Sequence, residues 1–171
     1  GVISEKGKLL QSLSKKGYAI LNYDDSNIRL KVAPKTRSKI FWFGENPKAD
    51  LVIYDFKNQQ NGSSFKLSYK NSHININWQL VGRQQTVAAA IAASVGILSG
   101  LSLEKIKLGL EKFLPQPHRM NLTKAKNCLI LDDTYNSSPI AVIEAVKTLA
   151  SFTNLPKVIV LSDMKELGSY S

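Results

Sequence analysis

An α/β fold in two parts is predicted, and three observations predict it. The first is the stretch Leu129 to Pro139, LILDDTYNSSP, where apolar strand formers end in two carboxylates, a Tyr-Asn pair and a proline before a helical pattern. A strand of that build delivers polar side chains to the C-terminal edge of a sheet, where open α/β folds bind ligands. The second is a similar arrangement upstream, where the apolar run Tyr18 to Leu21 ends in Asn22-Tyr23-Asp24-Asp25. The third is the middle of the chain, Lys39 to Trp78, where short alternating runs are separated by Gly44-Glu45-Asn46-Pro47, Asn61-Gly62 and Lys70-Asn71-Ser72. These turn signals predict a small antiparallel patch on the edge of the first sheet, with a hairpin at Asn61-Gly62.

Ile3 to Leu13 places apolar residues at Ile3, Leu9, Leu10 and Leu13, a helical pattern closed by Lys15-Lys16-Gly17. Cations in the last turn and a glycine after it are C-terminal signals. Tyr18 to Leu21 follows as a short buried strand, and Ile28 to Val32 as a helical segment that Pro34 stops. Lys39 to Phe43, Asp50 to Phe56, Ser64 to Tyr69 and His73 to Trp78 then read as strands. Thr86 to Leu98 is Ala-rich, with high helix propensity and small side chains that allow close packing on a sheet. Ser102 is placed to cap a second helix, Leu103 to Phe113, whose apolar positions are Leu103, Ile106, Leu110 and Phe113. Pro115 and Pro117 break the pattern, so Pro115 to Asn121 reads as a semi-rigid linker. Beyond it, Leu129 to Leu131 is a strand, Ile140 to Leu149 a helix and Lys157 to Leu161 a second strand with Ser162-Asp163 at its tip. This β-α-β unit is expected to be right-handed. One such unit buries too little surface to stand as a domain, so the C-terminal part is expected to be cut short.

A chain of 171 residues is one domain or two small ones, and 43% hydrophobic with 21% charged residues is ordinary for a globular protein. No apolar run approaches the roughly 18 residues of a membrane span. Lys6 and Lys8 lead into an amphipathic helix pattern and not into an apolar signal-peptide region. A cytoplasmic location, no membrane span and a monomer are expected. Cys128 cannot form an internal disulfide, and its apolar neighbours predict a buried strand position. The net charge of +10 raises a nucleic-acid reading, but Lys15, Lys16, Lys35, Arg37, Lys39, Lys105, Lys107, Lys124 and Lys126 are scattered without stacking aromatics. A solvated basic surface serving anionic small substrates, with no nucleic acid, is the expectation.

The polar strand ends suggest a nucleotide site. A carboxylate suits a ribose diol, an amide can bond an adenine edge, and an arginine suits a phosphate. Asn22 and Asp25 at one strand end, Asp132 and Asp133 at another, and Arg119 in the linker would hold a nucleotide between two domains. Asp and Asn are also common turn formers at strand ends, and the residues alone leave both roles open. His118 reads as a linker residue and His73 as a strand-surface residue.

DDTYNSSP at 132–139, followed by VLSDMKELG at 160–168, resembles the start of the C-terminal domain of the Mur ligases, which build the peptide of the bacterial cell-wall precursor. EKGKLL at 5–10, AILNYDD at 19–25, LVGRQQTVAAAIAA at 80–93 and LPQPHRMNL at 114–122 agree in order, so the resemblance covers nearly the whole chain. The pairing of DD-T-Y-N with DM-x-ELG is most similar to the branch that adds D-alanyl-D-alanine to a UDP-N-acetylmuramoyl-tripeptide. The resemblance implies that residues 1–117 are the second half of a P-loop-type ATP-binding central domain. Residues 118–171 would be the start of a Rossmann-like C-terminal domain, with a linker at about 114–121. It implies ATP-dependent amide bond formation: a substrate carboxylate is phosphorylated and an incoming amine displaces phosphate, with ATP and Mg2+ as cofactors.

The same resemblance implies roles for individual residues. Lys6 matches a lysine that the family often carbamylates into a Mg2+ ligand, making it the catalytic and metal candidate. Asn22 matches the adenine-contacting position of an N-x-D-D segment that ends at Asp25. Arg119 matches the linker arginine and Asp133 the ribose-binding aspartate, with Asp132 as the structural member of the pair; Tyr135 and Asn136 fall where the substrate cleft is lined. The sequence also departs from the pattern. Gln84-Gln85 and then Ala88 stand where the family usually reads His-Asn and a further Asn, so Gln84 is the candidate there. No G-x-x-G-K-[ST] loop is present to cradle the β- and γ-phosphates. An internal segment of a ligase, inactive by itself, is the expectation. A nucleotide-binding module without catalysis competes with it, as does a related ligase of the folylpolyglutamate synthase type.

Overall fold

Alternating apolar and polar residues in the first half of the chain become strands of one sheet in the computed structural model, which describes residues 2–59 and 61–164. The strands are β1 (Tyr18–Asn22), β2 (Lys39–Gly44), β3 (Leu51–Gln59), β4 (Gly62–Tyr69) and β5 (Ser72–Trp78), side by side in chain order. β1, β2 and β3 run parallel, and β4 and β5 continue the sheet antiparallel. Parallel neighbours ordinarily need a long crossover. Residues 23–38 supply one between β1 and β2. The short loop after β2 suffices because β3 begins where β2 ends, pairing only Phe43 with Leu51 and Gly44 with Val52. The antiparallel patch foreseen from the turn signals is therefore real, and it is the hairpin half of the sheet.

Helix α1 (Val2–Gln11) precedes β1, while α2 (Gln85–Leu98) and α3 (Leu103–Glu111) follow β5. Period-two alternation buries Leu51 and Ile53 of β3, Phe65 and Leu67 of β4, and Ile74, Ile76 and Trp78 of β5. α2 lays Ala89, Ala90 and Ala93 on this layer, and α3 adds Ile106 and Leu110. Burying each larger apolar side chain contributes about 1.5–3 kcal/mol. Ser102 caps α3 as foreseen, its side chain accepting from the Lys105 amide at 3.4 Å. A second cluster of Leu10, Ala19, Leu21, Val32 and Ala33 ties α1 to β1.

The crossover corrects one expectation. Pro34 does not stop the helical segment; a π-helical turn over Ile28–Val32 runs into a 3-10 turn over Ala33–Lys35, with Pro34 in its first turn. Proline is tolerated there because an N–H at that point has no helical partner to lose.

The C-terminal part differs more. β6 (Asn121–Ala125) and β7 (Cys128–Asp132) form an antiparallel two-stranded ribbon, and α4 (Pro139–Ser151) follows, capped by Ser138. β6 was not foreseen, and it begins at the last residue of the expected linker. Lys157 to Leu161 forms no strand, and Val158 and Val160 are 83% and 91% exposed. A strand exists only where a neighbour supplies its ladder, and none of the described strands pairs with these residues. Cys128 is exposed, not buried; its Sγ donates to the Ala125 carbonyl at 3.1 Å. Residues 165–168 of the VLSDMKELG motif lie outside the described residues. No helix among the described residues is long and apolar enough to cross a membrane.

Candidate functional site

Three loops carry the residues singled out in the sequence. The first leaves β1. The Tyr23 amide donates to the Phe43 carbonyl at 2.8 Å, extending the parallel pairing by one step. Asn22 turns its amide oxygen back to accept from the Asp24 N–H at 2.9 Å, and Asp25 accepts from the Asn27 and Ile28 amides at 2.8 and 3.1 Å. Asp25 thus satisfies two amides at the entry to the π-helical turn, whose N-cap position is Asn27. Asp24, which the sequence did not single out, ties two strand ends together by accepting from the Glu45 and Asn46 amides at 2.7 and 3.1 Å. Gly44 makes this possible, since a Cβ there would stand 2.7 Å from the Asp24 carboxylate. The Arg29 guanidinium donates to the Tyr23 carbonyl and lies 4.9 Å from the Tyr23 ring centroid.

The second loop joins β5 to α2. Gly82 adopts φ +94° and donates its N–H to the Asn58 side chain at 2.9 Å. The Gln84 carboxamide fills the space a Cβ at Gly82 would occupy, and its Oε1 is buried without a hydrogen-bond partner. Arg83 pairs with Glu45 at 2.6 Å, linking this loop to the one after β2. Beside it, α2, α3 and the start of the C-terminal part enclose a groove of about 400 Å³. Gln85 and Ala88 stand on its α2 wall, Lys105 and Phe113 on its α3 side, and Arg119 at its end.

The third feature is a clasp between residues 118–120 and the end of β7. His118 and Met120 both have left-handed backbone, with φ of 61° and 51°. The His118 carbonyl accepts from the Tyr135 amide at 3.0 Å, and the Met120 amide donates to Asp133 Oδ1 at 3.1 Å. The Arg119 guanidinium lies 4.0 Å from the Tyr135 ring centroid, a cation–π contact. His118 Nδ1 lies 2.8 Å from Asp132 Oδ2, and the Thr134 hydroxyl donates to Asp132 Oδ1 at 2.7 Å. The two adjacent carboxyls behave oppositely. The Thr134 and His118 hydrogen bonds hold Asp132 below the ordinary carboxylate range, while burial pushes Asp133 above it against the Met120 amide and the Arg119 charge.

The structure therefore brings Arg119, Asp133 and Tyr135 together, with Asn136 next in the chain using its own Oδ1 to accept the Ser137 amide at 2.8 Å. It places Asn22 and Asp25 on the β1 loop and Gln84 on the Gly82 loop. Among the described residues no hydrogen bond or ion pair joins those loops to the clasp. Lys6 is exposed on α1. No group of three or more His, Cys, Asp or Glu side chains among the described residues could hold a metal ion. The described residues alone do not assemble a Mg2+ site. The polar groups they present are a half-buried carboxylate, a neighbouring guanidinium and, at Gln84, a buried acceptor with no partner among the described residues.

Parallel strands ending in polar loops, followed by an antiparallel extension and packed helices, define an α/β protein. The chain belongs to the Mur ligase family: the Mur ligase middle domain matches residues 1–96. It is 30% identical over 173 residues to the UDP-N-acetylmuramoyl-tripeptide--D-alanyl-D-alanine ligase of Escherichia coli, covering 100% of this chain and 38% of that protein. The fold is that of MurF from Acinetobacter baumannii, at a TM-score of 0.80 and 22% identity, covering 88% of this chain and 33% of the other. MurF ligase from Thermotoga maritima, solved in complex with ADP, gives 0.77 at 22% identity, with 88% and 34% covered. The chain spans little more than a third of the length of these relatives.

Proposed function

We propose that these residues are the nucleoside-facing segment of an ATP-dependent amide ligase of cell-wall precursor synthesis. That ligase joins D-alanyl-D-alanine to a UDP-N-acetylmuramoyl-tripeptide in the cytoplasm. The observation that carries this reading is the Arg119 guanidinium seated on the Tyr135 ring at 4.0 Å, with the Met120 amide on the Asp133 carboxylate at 3.1 Å. Residues 1–117 belong to the central domain and residues 118–171 to the C-terminal domain. Bound ATP supplies the phosphoryl group that activates the tripeptide carboxylate. Asp133 accepts from a ribose hydroxyl, Arg119 neutralises phosphate charge, and Asn22 and Gln84 address the base with their amides. Tyr135 and Asn136 face the substrate side, and Lys6 is the candidate for the carbamylated position. The chain has neither a phosphate loop nor a described carboxylate cluster, so no phosphoryl-transfer step is derived for it alone.

The test is phosphate release by a polypeptide joining this chain to a phosphate loop and a substrate domain. Release should require ATP, the UDP-linked tripeptide and D-alanyl-D-alanine together, and the chain alone should show no turnover. Turnover by the isolated chain would overturn its dependence on a phosphate loop. Release with another acceptor amine but not with D-alanyl-D-alanine would move the protein to another branch of the family.

A further inference from the structure

Arg119 and Asp133 are held by a backbone that is unusual at both flanking positions. His118 and Met120 occupy the left-handed region that side-chain-bearing residues rarely adopt. A segment in that conformation needs neighbours that over-determine it. Met120 is anchored by burial, at 2% exposure, and by its amide on Asp133. His118 is 60% exposed, so packing does not hold its side chain; the contact that does is Nδ1 to Asp132 Oδ2 at 2.8 Å.

Asp132 is fixed in turn. Its Oδ1 accepts from both the Thr134 amide, at 3.1 Å, and the Thr134 hydroxyl, at 2.7 Å, which leaves Oδ2 for His118. An ionised carboxylate only accepts, so the hydrogen in the His118–Asp132 contact sits on Nδ1.

We infer that His118 is a positioning residue: through Asp132 it sets the backbone of residues 118–120, and so holds the Met120 amide on Asp133 and the Arg119 guanidinium over Tyr135. It touches no ligand itself. The inference rests on the nucleotide reading only for its functional consequence, because the clasp geometry is measurable without any ligand.

The test uses His118→Gly, His118→Asp and His118→Asn, with two readouts. Glycine removes the side chain while accepting φ 61° without strain, and because it also frees the backbone, His118→Asp, which tolerates this conformation but offers no donor, should show the same loss. Asparagine also tolerates the left-handed region, and its Nδ2 occupies the position of the imidazole Nδ1. Hydrogen exchange at the Met120 and Tyr135 amides reads the clasp, and calorimetric titration with ADP reads the site. His118→Gly should speed both exchanges threefold or more and weaken ADP binding by about threefold to fivefold, the size suited to an exposed pair. His118→Asn should restore both. Exchange changed less than threefold in His118→Gly, or no rescue by His118→Asn, would overturn the positioning role. With the chain joined to a phosphate loop and a substrate domain, a parent that binds no ADP while exchange responds as expected would overturn the nucleotide reading and leave the clasp standing.

Discussion

Gly62→Ala should lower the stability of the five-stranded sheet by about 2–6 kcal/mol, the sum of a strained backbone and an overpacked contact. Gly62 opens β4 at φ +134°, and a Cβ there would stand 2.0 Å from the Trp78 carbonyl oxygen. That oxygen is backbone in the neighbouring strand, next to the Ser63–Trp78 pair, so it cannot swing aside as a side chain could. Small domains are stable by only about 5–15 kcal/mol, so the variant should melt far below the parent or fail to fold. Gly100→Ala is the control. Gly100 also has positive φ, at 81°, but nothing lies within 4 Å of its would-be Cβ, so it carries the strain without the clash. Urea unfolding of the two variants separates the terms, and a Gly62→Ala loss no larger than that of Gly100→Ala would refute the clash.

Asp133→Asn should weaken ADP binding by about tenfold to a hundredfold, the worth of a hydrogen bond to a charged group, without lowering stability. Asparagine keeps an oxygen for the Met120 amide, so the clasp survives. Burial raises the Asp133 pKa above its ordinary 3.8, so folding favours its protonated form. The folded chain therefore holds this proton more tightly than the unfolded chain, and stability falls as pH rises from the ordinary value through the raised one. The variant lacks that fall. Asp132, whose pKa is lowered, acts oppositely: its contribution is present above its unfolded value and is lost as pH falls through its folded value. Asp132 remains in both proteins, so the difference between their unfolding curves as pH rises from the ordinary 3.8 reports on Asp133 together with its coupling to Asp132. A variant less stable than its parent at neutral pH would contradict the burial argument, and unchanged ADP affinity would remove Asp133 from the nucleotide site.

Much of the sheet was legible because its signals are local. Asn61-Gly62 marked the hairpin, alternation marked β3 to β5, and the run of alanines marked the helix that lies on them. The misreadings have physical reasons. Lys157 to Leu161 is as apolar as any strand, yet apolarity cannot supply a hydrogen-bonding neighbour. β6 went unseen because Asn-Leu-Thr-Lys-Ala, just past two prolines, has little alternation, and its pairing is decided by β7. At the site, Arg119 and Asp133 were singled out from the residue types and Tyr135 through resemblance, and the structure adds the stacking of Arg119 on Tyr135. Asp24 and His118 were missed, and for the same cause. Asp24 acts on amides in the loop after β2, and His118 on a carboxylate beyond a complete ribbon, so neither role leaves a trace in its own neighbourhood.

The reversal of strand direction at β3 also has a consequence in time. β3, β4 and β5 meet through tight turns, and such hairpins close within microseconds. β1 meets β2 only after the whole crossover has been ordered, and contacts between distant parts of a chain form more slowly. The meander should therefore assemble first and serve as the template on which the parallel edge condenses. Pulsed amide labelling during refolding should show Leu67 and Ile76 protected before Ile20, and simultaneous protection would refute that order. Asn22 lies at the end of the late strand, so the polypeptide would acquire its scaffold before its binding loop.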